Sequence, residues 1–241
     1  MDFDRFLSDT DAFRLESTLR RLSLHDISGW ALTGGIAIEL HVVRCGGDPC
    51  LRPLHDIDFI TKSFDCIPES LGEKLLLRHV HPYDPPAKNM LQGVDAETSV
   101  RMDVFRAYGL ELDRVSAIEL AGVPLKIVSL EDIVARHARL NWDLMEGKRV
   151  APKFTRDFLR LLELVAIDDV EAVWGEHRKP ESPESFAATV LELRRVMALR
   201  SDLLVAPTYS IDVDEVCERC HGTDAFRLAD PGQILSILGY C

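Results

Sequence analysis

The chain has 241 residues, with 28 Lys and Arg against 40 Asp and Glu for a net charge of −12, and 46% of its residues are hydrophobic. That apolar content fills a sizeable core, which excludes disorder as the main state, and the length fits one large domain or two small ones. The greasiest stretches, Leu161–Ile167 and Leu203–Ala206, fall short of the roughly 18 apolar residues that a membrane span needs, and basic residues form no run longer than pairs such as Arg20-Arg21, Lys148-Arg149 and Arg194-Arg195, so neither a membrane nor a broad nucleic-acid surface is expected.

The acidic opening Met1-Asp2-Phe3-Asp4 lacks the basic residues and apolar core of an export signal, so a cytoplasmic protein with reduced cysteines is expected. Phe3, Phe6, Leu7, Phe13, Leu15, Leu19 and Leu22 recur at near-helical spacing and predict one or two amphipathic helices over residues 3–24. Trp30-Ala31-Leu32 reads as a short strand that runs into Thr33-Gly34-Gly35, with a short helix following from Ile36 to Val42. Gly, Pro and Asp between Cys45 and Pro53 predict a loop. From His55 to Ile60 polar and apolar residues alternate, as in a strand with one buried face, which sets Asp56 and Asp58 side by side and turns His55 the other way.

Residues 68–79 look helical, and Pro82, Pro85 and Pro86 break the segment after them. Val100, Met102, Val104 and Phe105 mark another strand, and residues 114–128 read as a hairpin about Ala121-Gly122 packed beside it. From Ser129, with Asp132 three residues on as an approximate capping box, the pattern turns helical, with helices expected over 130–147, 153–165, 168–178 and 183–201. The expected division is therefore an α/β part over residues 1–128, a helical part over 129–205, and a C-terminal tail over 206–241.

A strand ending in Gly-Gly, Asp-x-Asp on a second strand and an Asp on a third make a set of parts with one chemical purpose. The glycines let backbone N–H groups approach phosphate oxygens, and the helix starting near Ile36 adds the positive end of its dipole. Asp56 and Asp58 project from one face about 7 Å apart at the backbone, so their carboxylates converge on one hard cation. Mg²⁺ is usually held by one or two carboxylates together with substrate phosphates, and Asp103 on a neighbouring strand adds a third acid.

Leu32-Thr33-Gly34-Gly35, Arg52-x-x-His55-Asp56-Ile57-Asp58-Phe59 and Met102-Asp103-Val104 resemble, in order, the three motifs of the polymerase-β-like nucleotidyltransferase superfamily, in the flavour of AbiEii-type toxin and aminoglycoside-modifying nucleotidyltransferases. The likeness spans roughly residues 30–160, since Ser129 to Leu162 resembles that family's helical segment with its Arg156-Asp157 pair. The resemblance implies an α/β (α+β) fold, a mixed sheet with flanking helices followed by a helical C-terminal domain. It implies Mg²⁺ on Asp56, Asp58 and Asp103, with Asp103 as third ligand or base, and an NTP held by Thr33, Gly34 and Gly35 with Arg52 and Lys153 on its phosphates. The activity implied is transfer of an NMP to a hydroxyl acceptor, a small molecule or, as in toxin relatives, RNA, with a cognate antitoxin as a candidate partner. A catalytically silent nucleotide- or partner-binding member of the fold is the rival reading. The chain departs from the pattern in the 20 residues between Gly35 and Asp56, an enlarged loop beside the site, and in the helix after the hairpin, where Arg136 and His137 stand near the usual Lys and Lys153 is the candidate substitute.

Cys217-x-x-Cys220-His221, with Cys241 at the end, has the spacing of haem attachment, which the missing export signal argues against. Two readings stay open: a structural Zn²⁺ on Cys217 and Cys220 with two further ligands, or plain reduced thiols.

Overall fold

The computed structural model describes residues 3–63, 68, 70, 71, 76–78, 90–95 and 97–204. Cys217, Cys220, His221 and Cys241, and with them the proposed zinc ligands, lie outside the described residues.

The N-terminal apolar stripe forms a 3-10 turn, Phe3–Arg5, and helix α1, Asp9–Leu22, capped by Ser8, whose hydroxyl accepts from the Asp11 N–H at 3.2 Å. Leu15, Thr18, Leu19 and Leu22 are its buried face. Strand β1, Trp30–Thr33, is buried along its whole length and passes directly into α2, Gly34–Arg44. Strand β2, Asp56–Thr61, buries Ile57 and Phe59 on one face and leaves Asp56 and Asp58 half-buried on the other.

Within the segment expected to be helical over 68–79, residues 69, 72–75 and 79 lie outside the described residues, and Leu76–Arg78 is instead strand β3. It pairs antiparallel with β4, Met90–Asp95, which no local pattern announces. Met-Leu-Gln-Gly-Val-Asp has no clean alternation and a central Gly93, so pairing to its neighbours, rather than intrinsic propensity, makes it a strand. Strand β5, Val100–Arg106, comes next, and the predicted hairpin appears as β6, Ser116–Leu120, and β7, Val123–Ile127, with Ala121 and Gly122 both at positive φ in the turn. That hairpin does not sit beside β5. The seven strands run β3-β4-β5-β2-β1-β7-β6, so it joins the opposite side of the sheet, with β7 parallel to β1.

Four helices complete the described part: α3, Leu130–Asn141, extended by a 3-10 turn at Trp142–Leu144; α4, Pro152–Leu162; α5, Ile167–His177; and α6, Phe186–Leu199. Ser129 caps α3 as expected, accepting from the Asp132 N–H at 3.1 Å and donating to its carboxylate at 2.6 Å. The same carboxylate takes Arg114 through two nitrogens, at 2.9 and 2.7 Å, and lies 2.8 Å from Nε2 of the fully buried His177, so one acid ties α3 to α5 and to the segment before β6. Desolvation opposes its ionisation, but the bonds from His177, Arg114 and Ser129 outweigh it and hold Asp132 well below the usual carboxylate range. Phe158, Trp174, Phe186 and Leu193 of the helices share one continuous core with Phe6, Leu32 and Phe59. Among the described residues no helix is long and apolar enough to cross a membrane.

Candidate active site

The site is built where three adjacent strands, β1, β2 and β5, bring short polar side chains to one face. β1 and β2 are antiparallel with Thr33 opposite Asp58, while β2 and β5 are parallel with Asp56 opposite Arg101 and Asp58 opposite Asp103. Because side chains alternate along a strand, this register places Asp56, Asp58, Arg101 and Asp103 on one face, and the intervening Ile57, Met102 and Val104 are buried on the other. Ligand oxygens of Asp56, Asp58 and Asp103 lie within 4.8 Å of one another.

Gly34 makes this convergence possible. It opens α2 at φ +66°, and a Cβ built on it would stand 1.8 Å from Asp58 Oδ2. The Asp58 carboxylate therefore occupies the space that any other residue at position 34 would fill, and the left-handed backbone itself favours glycine. Gly35 is different, since its Cβ would meet only Arg52 Nη1, at an ordinary 3.6 Å. Thr33 precedes them with no side-chain cap on the helix, and the first turn of α2 carries no acid.

Charge is crowded here. Desolvation comes first and the charges of Asp56 and Asp103 next in pushing the Asp58 carboxyl well above the ordinary aspartate range, while Arg101 and Lys153 pull it back. Arg101 Nη2 donates to Asp56 Oδ2 at 2.6 Å and lies 3.3 Å from Asp103 Oδ2. Lys153, exposed at the start of α4, rests its ammonium 5.0 Å from the Phe154 ring centre, and its field reaches Asp58. Among the described residues the donor set is three carboxylates with no nitrogen or sulfur, which suits a hard cation such as Mg²⁺ rather than zinc.

No family model matches the chain, and no curated protein does. Among solved structures it is similar to an antigenic nucleotidyltransferase-like protein from Paracoccidioides brasiliensis, with 17% identity, a TM-score of 0.46, and coverage of 82% of this chain and 94% of that one. It is also similar to the lincosamide antibiotic adenylyltransferase LnuA in its lincomycin-bound form, at 13% identity and TM-score 0.40 over 66% of this chain and 99% of that one. A third likeness is to the Megavirus polyadenylate synthase, at 11% identity and TM-score 0.43, over 64% of this chain and 30% of that one.

The remaining sequence-derived residues find their places around the acids. Arg52 is held inside the protein: its Nε donates to Glu39 at 2.5 Å and its Nη2 to Asp157, leaving Nη1 beside Gly35. Glu39, fully buried on α2, also receives Arg160 through both terminal nitrogens, at 2.9 and 3.0 Å, and the Cys50 N–H at 2.8 Å. Desolvation works against its charge, but Arg160, Arg52 and Cys50 more than offset it and leave its carboxyl below the usual glutamate range. The enlarged loop is thus pinned to α2 and α4 by a buried ion network. Arg136 and His137 are otherwise engaged: Arg136 Nη2 donates to both Glu111 oxygens, at 2.8 and 2.6 Å, and the buried His137 bonds the Ile133 carbonyl at 2.9 Å.

Two residues of this constellation escaped the sequence reading. Arg101 was legible in principle, because Arg-x-Asp on β5 puts it on the same face as Asp103. Glu39 also left a trace, as the lone acid within the run from Ile36 to Val42, which is apolar apart from His41.

Proposed function

We propose that the protein is a Mg²⁺-dependent nucleotidyltransferase that moves an NMP from an NTP to an acceptor hydroxyl. The observation that carries this reading is the convergence of Asp56, Asp58 and Asp103 within 4.8 Å of one another beside the N-terminus of α2. Asp56, Asp58 and Asp103 would hold the metal, which supplies charge neutralisation at the triphosphate and activation of the attacking hydroxyl. Thr33, Gly34 and Gly35 present backbone N–H groups and the positive end of α2 to the phosphates. Arg52, through Nη1 beside Gly35, and Lys153, whose charge reaches Asp58, add positive charge near that turn. Asp103, the most buried of the three acids, draws the proton from the acceptor hydroxyl as its oxygen bonds the α-phosphorus. The bond from that phosphorus to the β-bridging oxygen breaks, and pyrophosphate leaves with the electron pair.

The acceptor that fits the net charge of −12 is a cationic small molecule, which an acidic cleft attracts, rather than an RNA that demands a basic surface. Thermal unfolding with each NTP, with and without Mg²⁺, tests the donor and the metal together. Ligand at one hundred times its dissociation constant adds about 2.7 kcal/mol to stability, and Asp58→Ala is expected to abolish the Mg²⁺-dependent part of the shift. The same shift in wild type and variant would overturn the proposal. Transfer of label from an α-labelled NTP to an amino-sugar or amino-alcohol panel, set beside transfer to bulk RNA, separates the two acceptor classes.

A further inference from the structure

The Asp cluster already contains a cation. Arg101 Nη2 sits 2.6 Å from Asp56 Oδ2 and 3.3 Å from Asp103 Oδ2, against two of the three carboxylates that a metal would need. An oxygen lone pair that accepts from a guanidinium N–H is not open to a metal at the same time, and a dication placed beside an unmoved guanidinium would meet a like charge in a desolvated pocket.

Arg101 is held more loosely than Arg114 and Arg52, in the manner of Arg136, which meets Glu111 through Nη2 alone with its Nε also lacking an acceptor. Arg114 grips Asp132 and Glu176 through three nitrogens, and Arg52 grips Glu39 and Asp157 through two, so both are locks between elements. Arg101 reaches both of its acids through Nη2 alone, and its Nε is buried with no acceptor. Its side chain keeps 27% of its surface exposed, and its strand is fixed by full pairing to β2 and β4. A rotation of the side chain therefore takes Nη2 away from Asp56 and Asp103 with no change in the backbone.

We propose that Arg101 is the resident counter-ion of this cluster, and that a divalent cation must displace it from Asp56 and Asp103 in order to bind. The inference rests on reading the three acids as cation ligands, as in the proposed function. Its consequence is that the nucleotide-free protein holds divalent cations weakly, because each binding event breaks a charge-assisted pair.

Calorimetric titration with Mn²⁺ alone, at pH above neutral, tests it. Arg101→Gln, which keeps a polar side chain and removes the charge, is expected to bind Mn²⁺ about tenfold or more tightly than wild type, a gain of about 1.4 kcal/mol, with Arg101→Lys in between. Mn²⁺ binding by wild type that Arg101→Gln leaves unchanged or weakens overturns the inference alone. Absence of Mn²⁺ binding in every variant overturns the cation-site reading and the inference with it. Should Arg101→Gln fail to fold, the wild-type protein still decides: the Arg101 Nε–Hε resonance, assigned by its loss in Arg101→Lys, is expected to move on addition of Mg²⁺, and a resonance unmoved at saturating Mg²⁺ overturns the displacement.

Discussion

Replacing Gly34 with alanine adds one methyl group at the point where β1 hands over to α2. At φ +66° a side chain costs roughly 1–2 kcal/mol from backbone strain alone. The new Cβ would lie 1.8 Å from Asp58 Oδ2, 2.5 Å from its Cγ and 2.7 Å from its Cβ. Comfortable contacts need about 3.5 Å, so the carboxylate must withdraw by more than about 1.5 Å, several times the roughly 0.2 Å within which metal-ligand distances are held. Asp58 would then be too far away to share the proposed cation with Asp56 and Asp103. Gly35→Ala is the matched control, because its methyl finds an ordinary contact at 3.6 Å from Arg52 Nη1 and its backbone is helical. There alanine gains up to about 0.5–1 kcal/mol over glycine. Urea unfolding and Mn²⁺ calorimetry on both variants are expected to show a loss of roughly 1–3 kcal/mol and abolished binding for Gly34→Ala. For Gly35→Ala they are expected to show undiminished stability and binding. Wild-type Mn²⁺ affinity in Gly34→Ala would refute the idea that the glycine exists to seat Asp58.

Asp58→Asn is expected to stabilise the metal-free protein at neutral pH. Its carboxyl is raised in the folded state, so the folded chain keeps the proton to higher pH than the unfolded chain does, and the penalty grows as pH rises above the ordinary value of 3.8. The gain in urea midpoint should shrink toward zero as pH falls to that value, and a variant less stable than wild type at neutral pH refutes it. Glu39 has the opposite sign: its lowered carboxyl contributes stability above 4.5 that is lost as pH falls through the folded value. Glu39→Ala takes the shared carboxylate from Arg160 and leaves Arg52 with Asp157 alone, and is expected to cost about 3–5 kcal/mol in urea unfolding; a cost under about 1 kcal/mol would mean that water replaces the network. Asp103→Asn is expected to lower label transfer by orders of magnitude while Mg²⁺-NTP affinity changes modestly, since an interaction used mainly in the transition state appears in rate. Unchanged transfer reassigns the base.

Local chemistry was readable wherever one strand or helix carried its own signal. The alternation at Asp56-Ile57-Asp58-Phe59, the cap at Ser129 and the four apolar-periodic helices after it all appear within a few residues of their expected bounds. Failures came where partners decide. β4 is a strand because β5 offers it an edge and β3 because β4 does, and the hairpin's place beside β1 instead of β5 depends on Leu32 pairing with Ile127, which no local pattern encodes. The same holds within the site. Arg52 carries a charge that suits phosphate, but two buried acids on separate helices, Glu39 and Asp157, set its pose. Gly34 looked like a glycine for phosphate, yet its tightest neighbour is Asp58, a consequence of the antiparallel register of β1 and β2 alone.

The parallel pairing of β2 with β5 also bears on how the chain finds its shape. Asp56 and Arg101 are 45 residues apart in sequence, and β3 and β4 lie in the excursion between them. A hairpin such as β6–β7 closes a short loop and forms early, whereas the β2–β5 ladder must first meet the entropy of a long closure. The expected order therefore brings the mutually repelling carboxylates together late, after β1, β2 and α2 have supplied the apolar surface around them. If that order holds, repulsion among the acids speeds unfolding more than it slows folding, and a cation at the proposed site would slow unfolding; unfolding rates with and without Mg²⁺ test it.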